Sequence, residues 1–166
     1  MFKKGLVTPF WEDKHRYLDY RRAAFNNPAD VDRWISQGYT QVNFTGELYD
    51  MKNVMPEWAD PFFKIFDGIN VGVSFYRMST CDILPMHCDT YETYINVHKI
   101  SDPSKIRRVI IFLEDWRSGH LLEVDGTPIV DWKKGDYIMW DYNTPHMAAN
   151  IGTDPRYTLQ ITFTDV

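Results

Sequence analysis

The chain has 166 residues, the length of one domain, and its 18 lysines and arginines against 23 aspartates and glutamates leave a net charge of −5. Hydrophobic residues make up 44% of it, with 6 Trp, 10 Tyr and 10 Phe, which excludes a disordered chain and provides for one real core. The acidic balance argues against a nucleic-acid partner held by counterion release, and no apolar run reaches the roughly 18 residues that a membrane span requires.

Met1-Phe2-Lys3-Lys4 leads into an apolar stretch broken at Pro9, too short for a secretory signal. Cys81 and Cys88 are too few for a disulfide framework, and as free thiols they suit a reducing cytoplasmic location. The first forty residues read as helical. Tyr17, Tyr20 and Ala24 fall on one side of a helix over residues 12–25. Asn27-Pro28-Ala29-Asp30 supplies a cap, a first-turn proline and an acidic third position for a second helix over residues 28–37, closed by Gly38.

From Tyr39 the chain turns to short runs rich in Val, Ile, Thr, Tyr and Phe, separated by Gly, Pro, Asp and Asn. Strands are predicted at residues 39–49, 70–79, 81–87, 93–99, 107–114, 120–125, 128–132, 136–141, 146–151 and 156–164, with a short helix at 56–66. Regularly spaced short strands define a mainly β jelly roll or barrel. Its core would span about residues 70–164 and the helical part about residues 1–38 of a single domain covering 1–166.

Among the five histidines, His87 alone has a carboxylate two residues on, in Pro85-Met86-His87-Cys88-Asp89. Along a strand i and i+2 share a face, so His87 and Asp89 suit one metal ion, with His146 after the Asn143-Thr144-Pro145 turn as third ligand. Two histidines and one carboxylate leave three positions open on an octahedron, as in non-haem iron oxygenases. Arg156, opening the last strand, suits a carboxylate. His15 reads as solvated on its helix, His98 as a surface residue, Cys88 as a core thiol and His120 as open between a turn cap and the site. Trp116, Trp140 and Tyr91 are candidates for the wall of a substrate mouth.

With these residues in place the chain resembles the Fe(II)- and 2-oxoglutarate-dependent oxygenases, particularly the prolyl-hydroxylase-like branch. The likeness runs over about residues 70–164: Ser74-Phe75-Tyr76-Arg77, His87-Cys88-Asp89, the block from Arg108 to Trp116, Lys134-Gly135-Asp136, Pro145-His146 and Arg156-Tyr157-Thr158. The resemblance implies a double-stranded β-helix (jelly roll, cupin-like) with N-terminal helices packed outside. It implies Fe(II) on His87, Asp89 and His146, and 2-oxoglutarate as co-substrate with its remote carboxylate on Arg156. It implies O2 consumption, release of succinate and CO2, hydroxylation of a C–H bond and support by ascorbate.

Many relatives carry a co-substrate tyrosine where this chain has Phe112, and Tyr76, Thr158 or Arg108 are the candidate replacements. Asp89 stands where related halogenases have a small residue, which favours hydroxylation. The substrate would be a small molecule, peptide or protein. Two alternatives stay open on the residues alone. One is a jelly-roll binding module with structural histidines, and the other is a cupin-type metalloenzyme that uses no 2-oxoglutarate and needs no cation at Arg156.

Overall fold

The computed structural model describes residues 1–40 and 46–166. Eleven strands are assigned among them: β1 (Phe2–Leu6), β2 (Arg21–Arg22), β3 (Glu47–Tyr49), β4 (Ile69–Met78), β5 (Ile83–His87), β6 (Ile106–Phe112), β7 (His120–Val124), β8 (Thr127–Ile129), β9 (Asp136–Asp141), β10 (His146–Asn150) and β11 (Arg156–Thr164). Two helices, α1 (Pro28–Ser36) and α2 (Glu92–His98), stand outside them, with 3₁₀ turns at Lys14–Tyr17, Glu57–Lys64 and Pro103–Lys105. All pairings are antiparallel. The larger sheet runs β1-β9-β6-β11-β4-β3-β2 and the smaller β5-β10-β7-β8. Two facing antiparallel sheets with this strand order form a double-stranded β-helix.

Alternation along the strands fixes which residues meet. Even-numbered residues of β4, β6 and β9, among them Met78, Ile110, Phe112, Ile138 and Trp140, face the smaller sheet and pack with Leu122, Val124 and Ala148. Odd-numbered residues, among them Val73, Phe75, Val109, Ile111, Leu159 and Ile161, face outward and are covered by Trp11, Tyr20 and Phe62. The larger sheet is therefore buried on both faces, which is why β6 reads as a continuous apolar run rather than an alternating one. Each fully buried aliphatic chain contributes roughly 1.5–3 kcal/mol. The β7–β8 hairpin turns on Asp125 and Gly126, both with positive φ (52° and 73°), the two-residue geometry that an Asp-Gly pair favours.

Helix α1 starts as its capping residues predict, with the Asn27 side chain accepting from the Ala29 N–H. It buries Trp34, whose indole N–H donates to the Met86 carbonyl on β5.

Several expectations are corrected. Residues 12–25 do not form a helix: one 3₁₀ turn is followed by an extended Leu18 and by β2. Tyr17 and Tyr20, placed on one side of that helix, part company: Tyr17 is 85% exposed and Tyr20 is buried. Tertiary anchors override local propensity here, namely the Trp11 indole on the Leu113 carbonyl, the Tyr20 hydroxyl on the His15 carbonyl, and Arg21 and Arg22 paired with Asp50 and Asp82. Residues 93–99 hold α2 instead of a strand, entered and left through Tyr91 and Lys99 in the left-handed region. The chain there crosses from the smaller sheet to the larger, and β-branched residues alone do not make a strand. Phe2–Leu6, in the part read as helical, pairs with β9. Of the strand expected at 39–49, Glu47–Tyr49 is formed and residues 41–45 lie outside the described residues.

Candidate metal centre

β5 and β10 are neighbours, and their register sets His146 directly opposite His87, with ring centroids 4.3 Å apart. Asp89 lies just past the end of β5 and turns back onto both rings, its carboxylate oxygens 3.5 Å from His87 Nε2 and 3.7 Å from His146 Nε2. One donor atom from each of the three residues falls within 4.8 Å of the others. Metal–ligand bonds of about 2 Å give ligand separations of this order. Among the described residues this is the one His, Cys, Asp or Glu cluster with that geometry.

Both imidazoles are fixed from behind. His87 Nδ1 lies 2.7 Å from the Pro85 carbonyl and His146 Nδ1 lies 2.9 Å from the Thr144 carbonyl. A carbonyl only accepts, so each ring donates from Nδ1 and turns its Nε2 toward Asp89. Trp140 packs against His146 at 4.8 Å, and Phe25 and Trp34 stand edge-on to His87 at 5.0 and 5.9 Å. Burial pushes the His146 imidazole down to about 4, more than the Asp89 charge raises it, so the ring is neutral at pH 7. Burial acts to raise the Asp89 carboxyl, but Arg108, His146 and His87 outweigh it and hold it well below the usual range. Two imidazoles and one carboxylate thus converge on one point, and the donor set fits a divalent transition metal.

The other expected residues divide between two regions. Arg108 on β6 reaches Asp89 Oδ2 with Nη2 at 2.8 Å and Nε at 3.1 Å. Tyr76 is partly buried, with Gln160 and Thr158 as neighbours on β11; burial pushes its phenol up, while Arg108 pulls it down. Arg156 lies at the other end of the barrel, paired in register with Met78, whose carbonyl accepts from the Asn150 side chain, four residues along β10 from His146. It is 4% exposed, donates from Nη1 to the Met78 sulfur and lies 5.5 Å over the Trp132 ring, and its Nε has no partner. Burial lowers its pKa to about 10. A buried guanidinium without an acid partner fits a carboxylate ligand. Thr158, also buried, is the next inward residue along β11, facing Phe112 and Tyr76 in register.

His120 is held at the Arg156 end by the Asp154 carbonyl and does not join the metal cluster. His98 is exposed, on α2 rather than a strand. His15 is fully buried against Glu114 rather than solvated. Cys88 is only half-buried, near the Asn143 carbonyl, and not in the core. Trp116 donates to the His120 carbonyl. Tyr91 lies under Arg108 and borders a cavity of about 610 Å³ beside Asp89, walled also by Gly72, Tyr94, Gln160 and Thr162. Sequence reasoning missed Thr162 and Trp34. Thr162 shares its strand face with Thr158, and Trp34 is the apolar residue of α1 turned to β5; either periodicity was a usable signal.

Neither a protein-family model nor a curated protein sequence matches the chain. Among solved structures it is similar to a prolyl-4-hydroxylase from Pseudomonas putida, with 12% identity and a TM-score of 0.62 over 99% of this chain and 92% of that one. Lesser likenesses include a cupin 2 conserved barrel domain protein from Salinispora arenicola (9% identity, TM-score 0.44, 76% of this chain and 82% of that one). Another is a double-stranded β-helix protein from Klebsiella pneumoniae (10% identity, TM-score 0.41, 60% and 72%). The fold is thus the cupin-like double-stranded β-helix, carrying a His-Asp-His cluster at one end of the barrel.

Proposed function

We propose that this protein is an Fe(II)- and 2-oxoglutarate-dependent dioxygenase that hydroxylates a C–H bond of a small-molecule, peptide or protein substrate, with release of succinate and CO2. The observation that carries the reading is the convergence of one donor atom each from His87, Asp89 and His146 within 4.8 Å, with both Nδ1 atoms committed to carbonyls and both Nε2 atoms turned on Asp89.

His87, Asp89 and His146 would hold Fe(II), and the ion would supply the activation of oxygen that side chains lack. Two imidazoles and one carboxylate leave coordination positions for a chelating 2-oxo acid and for O2. Arg156 would take the far carboxylate, supported by its burial and, among the described residues, by its unpartnered Nε and the absence of an acid among its contacts. Thr158 is placed to add a hydroxyl and Phe112 an apolar wall. Substrate would enter by the cavity beside Asp89, the side of the cluster away from Arg156.

The test is anaerobic addition of Fe(II) and then 2-oxoglutarate, following the visible charge-transfer band of an Fe(II)-chelated 2-oxo acid, and then succinate release in air with ascorbate. The expected result is a band of one-to-one stoichiometry that His146→Ala and Asp89→Ala abolish. Metal uptake without the band would favour a cupin-type enzyme independent of 2-oxoglutarate. No metal uptake would reject the reading.

A further inference from the structure

We propose that Arg108 is the positioning residue of the metal centre, holding one oxygen of Asp89 so that the other alone is presented to the ion. The inference rests on the metal reading above and assigns Arg108 to the ligand rather than to the co-substrate.

The three ligands differ in how they are fixed. His87 and His146 sit on paired strands, and a carbonyl two residues earlier in the chain locks each ring. Asp89 lies beyond the last residue of β5, where no sheet pairing sets its direction. Its carboxylate is oriented from across the barrel. Arg108 places two N–H groups on the same oxygen, Oδ2, at 2.8 and 3.1 Å. A third donor, Nη1, is tied to Thr162 Oγ1 at 2.6 Å, and the guanidinium lies 4.8 Å over the Tyr91 ring. The arginine is itself held by the sheet, between Trp140 and Thr162 in register and 8% exposed.

A free carboxylate can chelate a metal through both oxygens. Oδ1 lies 3.5 Å from His87 Nε2 and Oδ2 3.7 Å from His146 Nε2, so both oxygens border the cluster. The two Arg108 hydrogen bonds engage Oδ2 and leave Oδ1 as the free oxygen for the ion, and one-oxygen ligation keeps a coordination position open. Lysine cannot reproduce the arrangement, because one ammonium on a flexible stem does not grip Asp89 and Thr162 together while lying flat on an aromatic ring. Arg156 completes the contrast, since among the described residues it has no acid partner and is a buried cation open to a carboxylate from outside the chain.

The experiment is anaerobic Co(II) titration of the full chain, read by the ligand-field spectrum, which reports coordination number without turnover. Arg108→Met keeps the bulk of the side chain and removes the fork. Its Co(II) affinity should fall about 10–100-fold, as for loss of other groups that orient a metal ligand, with a changed band shape, and Arg108→Lys should be intermediate. Thr162→Val, which loosens Arg108 without removing charge, should shift affinity the same way by less. It carries the test if Arg108→Met fails to fold by circular dichroism. Wild-type Co(II) affinity and spectrum in a folded variant would overturn the proposal. A raised 2-oxoglutarate requirement alongside would hand Arg108 to the co-substrate. A wild-type chain that takes up no Co(II) would reject the metal reading itself, a different outcome from a wild type that binds and a variant that binds equally well.

Discussion

At the scale of single residues, the Arg156 guanidinium touches a sulfur and an indole face and, among the described residues, no carboxylate, although burial disfavours its charge. Such a group is poised to gain from an incoming anion. Arg156→Met should therefore raise the 2-oxoglutarate requirement of succinate release by roughly thirtyfold or more, the equivalent of about 2–5 kcal/mol for a lost desolvated charge partner, and leave Co(II) affinity within a fewfold. Unchanged 2-oxoglutarate dependence would remove Arg156 from the site. The ligands were legible in the sequence as residue types at a spacing, but the reason offered for them was incomplete. Asp89 is not on the strand with His87, so a shared strand face does not bring the two together; the turn after β5 and the pull of Arg108 do. His15 was read by its charged neighbours in sequence, whereas its partner Glu114 is far along the chain, and no local pattern carries that information.

The elements show the same division. β4, β9, β10 and β11 were legible because alternation or a buried run marks them locally, and α1 because its cap and proline do. α2 and β1 were not, since one lies where the chain crosses between the sheets and the other depends on the presence of β9. Between β10 and β11 the chain turns against the β6–β7 connection at backbone contact distance. A Cβ on Gly119, whose φ is +90°, would lie 2.2 Å from the Gly152 nitrogen. That turn launches Arg156, and it is pinned by the Ile151 N–H on the Gly119 carbonyl and by Asn150 and His120 on the Asp154 carbonyl. Gly119→Ala should cost about 1–3 kcal/mol in urea unfolding and raise the 2-oxoglutarate requirement together with it, because strain and steric contact both act there. Loss of stability with normal co-substrate affinity would separate the turn from the positioning of Arg156.

Across the whole molecule, the groups buried to build the site make the metal-free fold sensitive to acid. His146 has its pKa lowered from 6.5 to about 4, first by burial. The unfolded chain binds that proton below about pH 6.5 and the folded chain only near pH 4, so stability is complete above pH 6.5 and falls as pH drops toward 4. For a group this well buried the linkage amounts to about 2 kcal/mol between pH 7 and 5. Glu114 adds a second loss at lower pH. Burial acts to raise its carboxyl, but hydrogen bonds from His15 and Arg16 dominate and bring it to about 2 from 4.5. Its contribution is present above pH 4.5 and is lost between there and about pH 2, reduced by solvent screening because the group is partly exposed. Asp89, held well below the usual carboxylate range, adds to the loss in the same acid window. Two steps in one direction are expected in the apo chain, measured as urea midpoints at pH 7, 5 and 3.5. His146→Gln should flatten the first step and leave the second, whereas Glu114→Gln should reduce the second and leave the first. Adding Mn(II) at about a hundred times its dissociation constant at pH 7 should raise stability by about 2.7 kcal/mol, through binding to the folded state alone. Equal midpoints at pH 7 and 5 in the wild-type apo chain would mean that His146 takes its proton in the fold as readily as in the unfolded chain, and the neutral, metal-facing imidazole would have to be given up.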